Sequence, residues 1–130
     1  MENKTSTILL TLLILTLTSC YRAPEIEGFD ADKWKQSLDN CDNYRLEASK
    51  LLLDQWEILK GETQNEIREL LGKETQHSLY LRNQKFFFYD LNCPNTSGKQ
   101  QLLRIRFDAL GHVREVLKEE KGSMEGAAEK

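Results

Sequence analysis

The stretch Gln100-Gln101-Leu102-Leu103-Arg104-Ile105-Arg106-Phe107-Asp108-Ala109-Leu110-Gly111-His112-Val113-Arg114-Glu115-Val116-Leu117 decides the fold. Leu103, Ile105 and Phe107 alternate with Arg104 and Arg106, so one side of an extended segment is apolar and the other basic. Asp108-Ala109-Leu110-Gly111 follows as a hairpin loop, with Gly111 placed for positive φ. His112 to Leu117 then returns as a second strand. Pairing Asp108 with His112 around a three-residue loop sets Phe107 opposite Val113 and Arg106 opposite Arg114. Like charges so placed are unfavourable unless something anionic is near. That anion is either Glu115 or Glu119 of this chain, or a partner's carboxylate or a lipid headgroup.

Working upstream, Leu79-Tyr80-Leu81 and the run from Lys85 to Asn92 are aromatic-rich and read as two further strands around Asn83-Gln84. Phe86-Phe87-Phe88-Tyr89 cannot all face one core, because alternate residues of a strand point to opposite sides. Either helices cover both sides, or one aromatic row is exposed as a partner surface. Cys93-Pro94-Asn95-Thr96-Ser97-Gly98 is a loop.

Before Gly72 the period is helical. Asp30 or Asp32 caps a short helix presenting Trp34 and Leu38, which stops near Asp39-Asn40. Tyr44 to Lys60 carries Leu46, Leu52, Leu53, Trp56 and Leu59 at three- and four-residue spacings and ends at Gly61. Thr63-Gln64-Asn65-Glu66 is a capping box, opening a helix with Ile67, Leu70 and Leu71 inward and Gly72 at its end. Helices followed by an antiparallel meander define an α+β domain: two to three N-terminal helices packed on one face of a three- to four-stranded sheet.

The N-terminus carries the strongest signal of location. Ile8 to Leu17 is apolar apart from Thr11 and Thr16. It is too short to span a bilayer, which takes about 20 apolar residues, and has the length of a signal-peptide core. It closes on Leu17-Thr18-Ser19-Cys20, which looks like a bacterial lipobox, with Cys20 the lipidated mature N-terminus. The expected organisation is a signal peptide over 1–19, a tether over 20–29, the domain over 30–117 and a disordered tail over 118–130. Removing 19 of 130 residues leaves 111, and since Glu2 and Lys4 cancel, the net charge stays at −3. That gives no support to nucleic-acid binding.

With Cys20 used by the anchor, Cys41 and Cys93 remain as a pair. In an extracytoplasmic protein the simplest expectation is a disulfide. A metal site combining these thiols with His77 or His112 lacks any CxxC or HxxxH spacing. The two histidines have no nucleophile or carboxylate at useful spacing, so no catalytic residue, metal or cofactor is expected. The candidate working surface is Arg104, Arg106 and Arg114 with Phe87 and Tyr89 from the aromatic row, since arginine and aromatics dominate binding hot spots.

Leu59-Lys60-Gly61-Glu62-Thr63 and Ile67-Arg68-Glu69-Leu70-Leu71-Gly72-Lys73, with the aromatic strand and Leu103 to Val113, resemble in order and spacing the SmpA/OmlA (BamE-like) small outer-membrane lipoproteins. The resemblance covers about Leu59 to Val116, with the lipobox in agreement. The chain departs from the pattern in its longer helical region before Leu59, its Cys41/Cys93 pair and the missing proline after Gly72. It looks like a divergent, Bacteroidetes-type branch. The resemblance implies a non-enzymatic envelope lipoprotein, held by its lipid on the periplasmic side of the outer membrane, that serves outer-membrane protein assembly or envelope integrity through envelope-protein partners such as the outer-membrane β-barrel assembly machinery. The same small scaffold occurs in secreted β-lactamase inhibitors, so an inhibitor-like or ligand-binding module is the alternative.

Overall fold

Asp30 opens the first helix by accepting, through Oδ1, the amides of Asp32 (3.1 Å) and Lys33 (3.0 Å), which satisfies two of the donors a helix start leaves free. The computed structural model describes Lys4 and residues 22–80, 83–93 and 98–121. Helix α1 is Ala31–Asn40, α2 Tyr44–Asp54, α3 the single turn Trp56–Leu59, and α4 Gln64–Leu71. Strands β1 Gln76–Tyr80, β2 Gln84–Asp90, β3 Gln101–Phe107 and β4 Val113–Glu120 form an antiparallel meander in sequence order. The α+β architecture expected from the change of period at Gly72 is the one observed.

Local chemistry sets the boundaries. Cys41 takes the left-handed conformation (φ 51°) at the end of α1. Thr63 and Glu66 form the reciprocal capping box, with the Glu66 carboxylate accepting the Thr63 amide at 2.7 Å. Gly72 (φ 77°) and Gly111 (φ 84°) make turns that a β-carbon would strain. The continuous helix expected from Tyr44 to Lys60 instead breaks at Gln55, whose side chain turns away to hydrogen-bond both the amide (3.0 Å) and the carbonyl (2.9 Å) of Glu27. Gly61 and Glu62 then pair with both backbone groups of Val113 (2.9 Å each), tying the α3–α4 loop to the free edge of β4.

The core lies between the helices and one face of the sheet. Trp34, Leu52, Leu59, Ile67 and Leu71 meet Phe87, Tyr89, Leu103, Ile105 and Phe107 there. Trp34 is fully enclosed, donates its indole N–H to the Leu71 carbonyl (3.1 Å) and lies edge-on to Tyr89. Arg45 is buried beside it, bonded through Nε to the Trp34 carbonyl (2.8 Å) and through Nη1 to the Asp90 carbonyl (3.0 Å), with its guanidinium 4.9 Å from the indole centroid. One charged side chain thereby joins α1, α2 and β2.

Two expected boundaries are corrected. Residues 22–29 are no free tether: Ile26 is buried, Ala23 and Phe29 pack against the core, and Phe29 lies 5.6 Å from Trp34. Apolar burial outweighs the entropy of leaving the segment loose. At the other end β4 runs to Glu120, because Gln101 and Leu102 pair with Glu120 and Glu119. The expected signal peptide apart from Lys4, together with Cys20, Leu81 and the expected tail from 122, lies outside the described residues, as do 94–97 of the expected loop.

Candidate partner-binding face

The register fixes what each side of the sheet carries. Phe87 pairs with Ile105 and Ile105 with Val116, all on the helix side. Phe86 and Phe88, Leu102, Arg104 and Arg106, and Glu115, Leu117 and Glu119 share the opposite side, which no described helix covers. Phe86 and Phe88 stack with centroids 6.3 Å apart, and the Arg104 guanidinium lies 5.3 Å from the Phe86 ring. Arg104 donates to Glu115 (3.0 Å) and reaches Glu119 (2.8 Å), while Arg106 stands 3.7 Å from the second Glu115 oxygen. The anions beside Arg104 and Arg106 are therefore Glu115 and Glu119 of this chain. Arg104 Nε and Glu119 Oε2 are buried and have no hydrogen-bond partner among the described residues.

Arg104 and Arg106 are thus on one face as expected, and three of the other expected residues are not with them. Phe87 and Tyr89 are 0% exposed and cannot touch a partner. Phe87 packs edge-on against Phe107 at 4.6 Å, and the Tyr89 hydroxyl donates to the Gly72 carbonyl at 2.9 Å. Their neighbours Phe86 and Phe88 take the arginine side. Arg114 is displaced because the β3–β4 register shifts between Arg106 and Phe107: Phe107 meets Val113 as expected, but Arg106 meets Glu115. One extra residue on β4 leaves Arg114 outside the ladder, where its Nε donates to Asp108 at 2.8 Å. Asp108 also accepts the amides of Leu110 and His112 (3.0 Å each), and these bonds hold its carboxyl below the usual range, the His112 amide contributing most.

Cys41 and Cys93 are joined in a disulfide with Cα atoms 5.5 Å apart, linking the end of α1 to the segment after β2. His77 is exposed, 3.7 Å from Glu74, and His112 is 3.8 Å from Asp108. Among the described residues no group of three histidine, cysteine or acidic side chains is placed to hold a metal. A carboxyl pair, Glu62 and Glu66, stands at the start of α4 with little mark in the sequence. Burial, followed by the hydrogen bond and charge of Glu66, pushes the Glu62 carboxyl up to about 7. The Thr63 amide holds Glu66 low. Its only trace in sequence is an acid immediately before a capping box.

No family model matches the chain, and no curated protein does. Among solved structures the chain is similar to an osmotically inducible lipoprotein, OsmE, at 21% identity and a TM-score of 0.40, over 55% of this chain and 79% of that one. At that depth of likeness, function has to be read from the residues of this chain.

Proposed function

We propose that this chain is a lipid-anchored, non-enzymatic lipoprotein of the bacterial envelope that faces the periplasm and acts by binding another envelope protein. The observation that carries the reading is the Cys41–Cys93 bridge. It pairs two of three cysteines in a manner suited to an oxidising compartment, and the third, Cys20, ends the apolar run at Leu17-Thr18-Ser19. The motif resemblance to SmpA/OmlA lipoproteins supports a role in outer-membrane protein assembly or envelope integrity.

The partner is received on the helix-free side of the sheet by Phe86, Arg104, Arg106 and Leu117. Leu117 is 40% exposed there, opposite Arg104 on the neighbouring strand. Because Arg104 stands between two carboxylates, glutamate at that position would gather three like charges and disturb the fold. Leu117→Glu with Arg106→Gln alters the surface and spares the Arg104 cluster. Affinity capture of the native lipoprotein from detergent-solubilised envelopes should recover a defined envelope partner, and the double variant should lose it while melting within a few degrees of wild type. Capture of a soluble hydrolase instead would favour an inhibitor-like role. Undiminished capture by the folded variant places the interface elsewhere.

A further inference from the structure

The packing of residues 22–29 has a mechanical consequence for an anchored protein. Ala23 already lies against the core, and Glu27 is clamped to Gln55 through two hydrogen bonds. Only three residue steps separate Cys20 from Ala23, a reach of about 10 Å at full extension. A domain of about 100 residues has a radius of gyration near 13 Å. A domain so held cannot stand clear of the surface in which its lipid is buried, so one of its faces must rest there.

The geometry points to the α3 turn as that face, and to a phospholipid surface as its occupant. This rests on the reading of Cys20 as the lipid attachment site. Gln55, which holds the incoming segment, immediately precedes α3. Ile58 follows it by three residues, with its amide bonded to the Gln55 carbonyl at 2.9 Å, and is 43% exposed. Trp56 is half-buried, and the Lys60 ammonium lies 5.5 Å from its ring centroid. An exposed isoleucine beside a tryptophan and a lysine is the composition of a membrane-interface contact: the aliphatic chain enters the acyl boundary, the indole sits at headgroup level, and the lysine reaches outward. Glu25, Glu27 and Glu57 accompany Arg22 and Lys60 nearby, so the contact has no basic excess and does not depend on anionic lipid. It is also too small to hold the protein alone; the acyl chains supply the affinity and α3 sets the orientation. The helix layer then faces the membrane, and the Arg104–Arg106 side of the sheet is left open to the periplasm.

The two tryptophans make this measurable. Trp34 is 0% exposed and out of reach of a contact quencher, whereas Trp56 is partly accessible. Lipidated mature protein is incorporated into phosphatidylcholine vesicles with brominated acyl chains, and its emission is compared with that in unbrominated vesicles. Bromination should remove up to half of the emission. Trp56→Phe should abolish the quenching, and Ile58→Asp, at an exposed site, should reduce it without loss of vesicle binding. Protein that floats with the vesicles and carries the lipid mass on Cys20, yet shows equal emission in both, overturns the orientation and leaves the anchor reading intact. Protein of unmodified mass that fails to float overturns the anchor reading, and the orientation falls with it.

Discussion

Replacing Cys41 and Cys93 together with alanine removes a cross-link between residues 52 apart in sequence. For a loop of that size the chain-entropy relation gives about 14 cal/mol/K, or about 4 kcal/mol at 25 °C, as the constraint lifted from the unfolded chain. Cys93 is buried, so trimming its sulfur leaves a small void that adds on the order of 1 kcal/mol. Alanine is preferred to serine there because a buried hydroxyl would add its own desolvation cost. A total of about 5 kcal/mol is comparable to the whole stability of many domains this size, and at about 4–8 °C per kcal/mol it corresponds to a fall in Tm of about 20–40 °C. Equilibrium urea unfolding, followed by the emission of the enclosed Trp34, measures the loss. Oxidised wild type should lose most of the difference on adding reductant, and the double variant should not respond to it. A loss under about 1 kcal/mol, with wild type verified as oxidised, would mean that the unfolded chain is already restrained and that the entropic argument fails here.

Two further outcomes follow from the charged groups. Arg68 donates two hydrogen bonds to the buried Glu74 (2.9 and 2.7 Å) and holds its carboxyl below the usual range; Arg68→Ala should cost about 1–3 kcal/mol by urea unfolding, less than a fully enclosed pair because Arg68 remains partly in water. Glu74→Gln in the same background should recover part of that loss, and no recovery would show that the cost is lost packing of Arg68 over Phe87. Glu62 has a folded pKa raised from 4.5 to about 7, so its neutral form favours the fold. Its contribution is complete below about pH 4.5 and is lost as pH rises through about 7. The difference in Tm between wild type and Glu62→Gln should therefore move against wild type from about pH 5 to about pH 8; a constant difference would show that Glu62 ionises normally in the folded state.

How much of this was legible in the sequence depends on whether a residue type announces its own geometry. Asp30, Thr63 with Glu66, Gly72 and Gly111 do so, because each offers a specific side-chain acceptor or the freedom to take positive φ, and each stands where its chemistry places it. The aromatic run does not. With four consecutive aromatics, alternation cannot tell which pair points inward; only pairing with β3, where Ile105 faces the core, assigns Phe87 and Tyr89 to the inside. The segment over 22–29 was illegible for a related reason. Its apolar anchors, Ile26 and Phe29, form no helical or strand period, and its polar clamp to Gln55 joins residues 28 positions apart.

The bulge at Arg114 is the hidden feature with the largest effect on the candidate site. Continued in simple register, β4 would have set Arg114 against Arg106 and Glu115 on the core side. Arg104 and Arg106 would then have lacked the carboxylate that lies between them, leaving a strongly basic surface. The extra residue reverses the outward parity of everything beyond it. Glu115 and Glu119 turn to the arginines, Leu117 turns outward between them, and Val116 turns in to complete the core. The resulting face is nearly neutral, with Phe86 beneath Arg104 and Leu117 in the middle. A surface of that kind selects a partner by the shape and apolar area it presents more than by attraction at a distance, since charges already paired in cis project little field. Under the proposed lipid-anchored function this is a workable arrangement: confinement to the membrane surface would raise the local concentration of a partner held in the same membrane, and long-range steering would be unnecessary.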